Sequence, residues 1–120
     1  MRIFKNTWFR RFARDQKITD HALRDAVRRA ESGQIDANLG GGVVKQRVAR
    51  PGHGKSKGYR TIILYRAGER AIFVYGFFKS ERENIREDEK KQFKKMASHV
   101  IELSEEQLNE LVTMGKFEEI

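Results

Sequence analysis

The sequence predicts an α+β fold, with helices packed on a small antiparallel sheet. Two helical patterns precede two strand patterns rich in β-branched and aromatic residues, and helical spacing returns after the strands. Because helices and strands occupy separate parts of the chain, we expect them to segregate into different layers. A chain of 120 residues can bury one core, so we expect a single domain over 1–120, with an acidic helical tail at about 102–120.

The first third of the chain predicts two helices after a short extended segment. Residues 2–5 are either a short first strand or an extended lead-in, and Asn6 or Thr7 can cap the first helix. Thr19 or Asp20 can cap the second, since their oxygens accept hydrogen bonds from the free N–H groups of a first turn. The apolar faces consist of Trp8, Phe9, Phe12 and Ala13 in the first helix and of Leu23, Ala26, Val27 and Ala30 in the second.

The middle of the chain predicts three antiparallel strands. Glycines at 40–42 indicate a turn before a strand at 43–48. Residues 50–58 have the Gly, Pro and Ser content of a long, flexible loop, which is also cationic. The two strongest strand patterns, YRTIILYR at 59–66 and AIFVYGFF at 71–78, are joined by a tight hairpin. Their apolar residues fall on both faces, which is typical of central strands covered on each side.

Helical spacing returns at residues 87–102. The inward positions of this helix are predicted to be Phe93, Met96, Ala97 and Val100. Ser104 and Gln107 resemble a capping box, which would start a last short helix that ends at Gly115.

Positive charge is concentrated in the middle of the chain. Lys and Arg number 25 against 17 Asp and Glu, and residues 43–66 contain no acid. Such a stretch is typical of proteins that bind a polyanion, because each neutralised phosphate releases counterions. A solvated basic surface is the alternative. The acidic tail either folds back over the cationic surface or keeps the protein soluble.

Several classes of site are excluded by composition. Cysteine is absent, which excludes disulfides, thiol nucleophiles and thiolate metal sites. His21, His53 and His99 are far apart and lack carboxylate partners at helical spacing, so we expect no metal and no cofactor. No apolar run reaches the ~20 residues of a membrane span, and no signal-peptide segment is recognisable. We therefore expect a cytoplasmic protein without membrane contact.

The remaining reactive side chains suit one reaction, the cleavage of RNA by its own 2′-hydroxyl. It needs a proton acceptor, a proton donor and cations around the phosphorane, but no metal. A lysine crowded by arginines can be the base because nearby positive charge lowers its pKa, whereas arginine stays charged. The candidates Lys45, Arg47, Arg60 and Lys79 either converge on one sheet surface or are scattered edge charges.

Further candidates for RNA contact lie in the loop and on the last strand. His53 sits in the cationic loop, where it can approach a phosphate. Phe73, Tyr75 and Phe77 alternate along one strand face, which fits a stacking platform for bases, although such a stripe more often belongs to a core. Of the three, Tyr75 offers a hydroxyl to a phosphate or a 2′-hydroxyl.

One segment resembles a known family. Residues 45–85, KQRVARPGHGKSKGYRTIILYRAGERAIFVYGFFKSERENI, resemble the RelE/HigB-like toxins of bacterial type II toxin–antitoxin systems. The likeness is closest to the HigB-like branch of the RelE/ParE superfamily, with its Gly/Lys loop before G-Y-R and its Y-G-F-x-K-x-E-R-x-N-I motif. The tail ELSEEQLNELVTMGKFEEI fits as well. The resemblance implies a RelE-like fold with N-terminal helices, a curved antiparallel sheet and a C-terminal helix.

The resemblance also implies a function. It implies a ribosome-dependent endoribonuclease that cuts mRNA in the ribosomal A site and is neutralised by a cognate antitoxin, often one with a helix-turn-helix DNA-binding domain. The catalytic residues are then expected to be Arg60, Lys79, Lys45 and Arg47, and the RNA-binding residues Arg50, His53, Lys55, Lys57, Tyr75 and Arg82. The chain departs from better-known relatives at Ser80, where they carry arginine, and at Ile85 and Arg86, where they carry tyrosine.

Two other functions stay open from the sequence. A ParE-like gyrase poison would belong to the same superfamily, but such proteins lack the basic cluster, and a supercoiling assay would detect this activity. A non-enzymatic RNA-binding module would use the same basic patch, and its binding would depend steeply on salt without any cleavage product.

Overall fold

A computed structural model describes residues 1–50 and 54–120, with side chains described outside 51–57. The described elements, in chain order, are β1 (Arg2–Asn6), α1 (Thr7–Asp15), α2 (Asp20–Glu31), β2 (Ala37–Gly40), β3 (Val43–Arg50), β4 (Gly54–Arg66), β5 (Arg70–Phe78), α3 (Glu87–Val100), α4 (Glu105–Thr113) and β6 (Phe117–Glu119). The predicted α+β class is confirmed. No helix of the described residues is long and apolar enough to cross a membrane.

The sheet is larger than the sequence predicts, and one of its strand pairs is parallel. Its order is β2-β3-β4-β5-β1-β6, with β1 parallel to β5 and all other neighbours antiparallel. The prediction of a purely antiparallel sheet is therefore wrong at β1. The apolar pair Ile3 and Phe4 explains why β1 lies inside the sheet, because Ile3 packs into the core on one face and Phe4 into the core on the other. The strands β2 and β6 are too short to show alternation.

The predicted loop at 50–58 is replaced in large part by strand. Arg50 ends β3 and Gly54 begins β4, and the two residues pair beyond an irregularity in the register. Pro51, Gly52 and His53 lie outside the described residues. Backbone pairing with β3 overrides the low strand propensity of the Gly, Ser and Lys residues at 54–58.

Two hydrophobic cores cover the two faces of the sheet, as the apolar pattern of the central strands predicts. On the α1/α2 face, helices α1 and α2 pack on residues such as Val44, Tyr59 and Ile63. On the α3/α4 face, helices α3 and α4 pack on residues such as Val43 and Ile62. Odd-numbered β3 residues and even-numbered residues of β4 up to Leu64 therefore face α3 and α4.

The helix caps agree with the sequence analysis, whereas one predicted inward position of α3 is wrong. The Asn6 side chain accepts from the Phe9 N–H at 2.8 Å, Thr19 caps α2, and Ser104 forms a capping box that starts α4. Met96 is 39 % exposed, however, so its predicted inward position is wrong. The buried stripe of α3 runs through Ala97, and position 96 falls beside that stripe.

The acidic tail is folded onto the sheet at β1. Strand β6 pairs with β1, and Arg2 binds Glu105 at 2.5 Å and Glu119 at 2.8 Å. Hydrogen bonds from Arg2 hold the pKa values of both glutamates below their usual range. Arg70 reinforces this contact by donating to the Leu103 carbonyl at 2.6 Å. The tail thus pairs with basic residues at the β1 side of the sheet.

Candidate active site

Four cationic side chains meet in one pocket on the α3/α4 face. Strand alternation places Lys45 and Arg47 on this face, and Arg60 pairs directly with Arg47 across β3 and β4. Lys79 follows the end of β5. The pocket has a volume of about 310 Å³ and is lined by Asp36, Lys45, Arg47, Arg60, Lys79, Glu83 and Asn84. The four residues predicted to be catalytic are therefore neighbours, although they come from separate parts of the chain.

Arg60 is the most buried of these cations, at only 4 % exposure. Its Nε lies 3.8 Å from Asp36 Oδ2, a long ion pair, and its Nη1 is buried without a hydrogen-bond partner among the described residues. Burial lowers the pKa of Arg60, the charge of Arg47 lowers it further, and Asp36 opposes both effects. An orphaned guanidinium donor in a cationic pocket is a ready-made contact for an anion.

Asp36 connects the two arginines. Arg47 Nε donates to Asp36 Oδ1 at 3.0 Å, while Oδ2 faces Arg60. Sequence reasoning missed this residue, although a signal existed: Asp36 is the one acid between Glu31 and Glu69. Glu83 and Asn84, which also line the pocket, were missed because nothing in the local sequence places their segment next to β3.

Gln46 holds Asp36 from the opposite face of β3. This side chain is only 1 % exposed, and its Nε2 donates to the carbonyls of Ala26 and Gln34 at 2.9 and 3.0 Å. Its Oε1 accepts from the backbone N–H of Asp36 at 3.0 Å. A fully hydrogen-bonded amide thus fixes the segment between α2 and β2 that carries the pocket carboxylate.

The predicted aromatic platform does not form. The register of β4 and β5 shifts between Ile62 and Ile63, so Phe73 faces the α1/α2 core while Tyr75 and Phe77 face the other side. Phe73 and Phe77 are buried. Alternation over this strand was misleading because an irregularity in β5 reverses the faces midway. The hydroxyl of Tyr75 accepts from Arg82 Nη1 at 2.9 Å.

Of the other predicted RNA-binding residues, Arg50 and Arg82 lie outside the pocket lining. Arg82 forms an ion pair with Glu89, which raises the pKa of Arg82 and lowers that of Glu89. The guanidinium of Arg50 lies 5.2 Å from the centre of the Phe78 ring, a cation–π contact on an exposed side chain. His53 and the side chains of Lys55 and Lys57 lie outside the described part of the structure. The RNA contacts of this group stay predictions.

The residues that depart from better-known relatives also lie outside the pocket lining. Arg86 precedes α3, is exposed, and pairs with Asp88 at 3.0 Å. Ile85 packs against the α3/α4 core. Ser80 is exposed after β5. Within the described residues, the positive charge of the pocket comes from the four converging cations alone.

A comparison with protein families decides the classification. The sequence pattern of the RelE toxin of the RelE/RelB toxin–antitoxin system matches residues 1–120. The chain belongs to the RelE toxin family. No curated protein matches it. RelE-family membership implies a cognate antitoxin as partner. The assignment to the HigB-like branch within this group stays a prediction.

Proposed function

We propose that this RelE-family toxin is an endoribonuclease that cleaves mRNA on the ribosome without a metal ion in the reaction. The observation that carries the proposal is the buried Arg60 guanidinium, whose Nη1 has no partner within the described residues and which lines a pocket with three further cations. A fold keeps an unsatisfied buried cation at a cost in stability, which suits a site that an anion completes.

The proposed chemistry is an internal transfer at phosphorus. A base removes the proton of the 2′-hydroxyl, and the 2′-oxygen attacks the adjacent phosphorus. The bond from phosphorus to the 5′-oxygen breaks, and that oxygen takes up a proton as it leaves. The products are a 2′,3′-cyclic phosphate and a 5′-hydroxyl, so atoms balance without water or metal.

The cations have different roles in this proposal. Arg60 stabilises the phosphorane, because its charge is fixed and largely shielded from water. Lys45 or Lys79 moves protons, since both ammonium groups line the pocket beside Arg60. Arg47, which lies on β3 directly opposite Arg60 on β4, also binds the phosphate.

The mRNA and the ribosomal RNA are proposed to contact the basic surface around the pocket. This group comprises Arg50, His53, Lys55, Lys57, Tyr75 and Arg82. The cognate antitoxin is proposed to carry a helix-turn-helix DNA-binding domain. The proposed RNA contacts rest on the charge of the chain, which has no acid from 43 to 66, and the proposed antitoxin rests on the family.

Primer extension on mRNA from translating ribosomes tests the function. Wild-type protein is expected to produce discrete new ends within codons, and Arg60→Ala none. Arg66→Ala is the matched control, because Arg66 lies on the same strand and is exposed outside the pocket lining. Unchanged mRNA with folded wild-type protein would contradict the proposal, and a gyrase supercoiling assay would then follow.

A further inference from the structure

The pocket lining includes two carboxylates, Asp36 and Glu83, which is unexpected in a site for a polyanion. Asp36 shares its two oxygens between two arginines, with Oδ1 3.0 Å from Arg47 Nε and Oδ2 3.8 Å from Arg60 Nε. Its side chain is only 15 % exposed. The carboxylate therefore bridges the guanidinium groups inside the pocket and is not a surface charge nearby.

The bridge leaves one buried donor of Arg60 unsatisfied. Asp36 approaches Arg60 at Nε, whereas Nη1 has no partner among the described residues. Asp36 therefore does not satisfy every donor of Arg60, and a phosphate that reaches Nη1 binds without displacing the carboxylate from Nε. The two anions then share one guanidinium, each using a different edge.

The position of Asp36 is fixed by its surroundings. Gln46 accepts the backbone N–H of Asp36 at 3.0 Å and is itself bound to two carbonyls on the other side of β3. Fixing the backbone at residue 36 limits how far the carboxylate can move from the two Nε atoms. The arginines consequently have a rigid anchor, although their side chains are long.

From this geometry we infer that Asp36 is a positioning residue, which orients Arg47 and Arg60 for the phosphorane and weakens ground-state RNA binding in return. The inference rests on the proposed function. The carboxylate cancels one positive charge of the pocket and repels the incoming phosphate. It also holds two like-charged side chains, which pair directly across the strands, in one orientation.

Removal of the Asp36 charge is expected to strengthen RNA binding and to slow cleavage. Asp36→Asn removes the negative charge, so RNA should bind about three- to tenfold more tightly, with log K against log salt steeper by about 0.7. The same variant loses the ionic anchor of both arginines, so the single-turnover cleavage rate should fall about 10- to 100-fold. A residue that served only the fold would lose both binding and cleavage.

Two assays separate these effects. Binding is measured by fluorescence anisotropy with a 2′-O-methyl oligoribonucleotide, which the 2′-hydroxyl reaction cannot cleave. Cleavage is measured on mRNA in translating ribosomes at saturating protein. Asp36→Glu restores the charge and is expected to return the Kd to the wild-type value. Asp15→Asn is the matched control. This substitution makes the same charge change at the end of α1, and Asp15 lies outside the pocket lining.

The outcomes distinguish this inference from the proposed function. Tighter binding with slower cleavage in Asp36→Asn, and recovery of the Kd in Asp36→Glu, would support the positioning role. Unchanged or weaker RNA binding by Asp36→Asn, or tighter binding with undiminished cleavage, would overturn it even if wild-type protein cleaves mRNA. A wild-type protein that neither binds nor cleaves RNA would contradict the proposed function itself.

Discussion

Arg47 and Arg60 are direct partners across β3 and β4, and the carboxylate of Asp36 bridges their Nε atoms. Like charges directly opposite each other in an antiparallel pair destabilise a sheet. One of the two arginines is also buried with an unsatisfied donor within the described residues. The sheet therefore carries a local cost in stability at the pocket.

Replacing Arg60 by an apolar side chain is expected to raise the stability of the protein and to abolish its activity. Arg60→Met keeps similar bulk but removes the orphaned guanidinium and its repulsion with Arg47, so the free energy of unfolding should rise by about 1 kcal/mol. Cleavage should disappear, because the phosphorane loses its main cation. Urea denaturation and the ribosome assay measure the two effects. Arg66→Met is the control, and a clear loss of stability in Arg60→Met would contradict this account.

The hydrogen bonds of Gln46 are expected to contribute strongly to the free energy of unfolding. Gln46→Leu leaves the Asp36 N–H and the carbonyls of Ala26 and Gln34 without their buried partner, so the free energy of unfolding should fall by about 2–4 kcal/mol. Gln92→Leu, on the exposed surface of α3, should change it by less than about 0.5 kcal/mol. Equal effects of the two substitutions in urea denaturation would show that the Gln46 hydrogen bonds are dispensable.

Gly58 is expected to be indispensable for the approach of β4 to β3. A Cβ at this position would lie 2.1 Å from the carbonyl oxygen of Val48, which is backbone and cannot turn away. Gly58→Ala should therefore lower the free energy of unfolding by about 3 kcal/mol. Gly33→Ala is the comparison: it has open space but a φ of +88°, so backbone strain alone should cost about 1 kcal/mol. Thermal or urea denaturation in which Gly33→Ala is the more damaging change would contradict this packing.

Much of the fold follows from local sequence, and the exceptions have physical causes. The caps at Asn6, Thr19 and Ser104 were predictable because capping is a local interaction. The strands β2 and β6 were not. Strand β6 gains its order from pairing with β1 at the far end of the chain, and β2 is a four-residue strand that depends on its pairing with β3. Period-2 spacing also failed at Phe73 and Tyr75, where an irregular register changes the face.

The candidate site was predictable in its cations and not in its carboxylate. Lys45, Arg47 and Arg60 belong to one charge pattern on strands that the sequence identifies. The isolation of Asp36 between Glu31 and Glu69 is visible in the sequence, but the Gln46 hydrogen bond that fixes it at the pocket has no local signature. Arg82 is the opposite case. Its motif identifies it as a candidate for RNA contact, but in the structure it forms an ion pair with Glu89.

Tyr65 is expected to make stability depend on pH in the alkaline range. Burial and a hydrogen bond to Glu31 raise the pKa of Tyr65 to about 12 from its usual 10.0. A raised folded-state pKa stabilises the fold fully below about pH 10, and this stabilisation is lost as pH rises towards about 12. The stability difference between wild type and Tyr65→Phe should therefore shrink between these values. Urea denaturation across this range measures it, and a constant difference would contradict the Glu31 contact.

The chemistry at the cut site tests the central claim most directly. An mRNA with one 2′-deoxynucleotide at the cleaved position is presented to the protein on stalled ribosomes, beside the all-ribose message. The ribose message is expected to yield a 2′,3′-cyclic phosphate and a 5′-hydroxyl, and the deoxy position is expected to stay uncut. Cleavage at the deoxy position, or ends with a 5′-phosphate and a 3′-hydroxyl, would contradict attack by the 2′-hydroxyl.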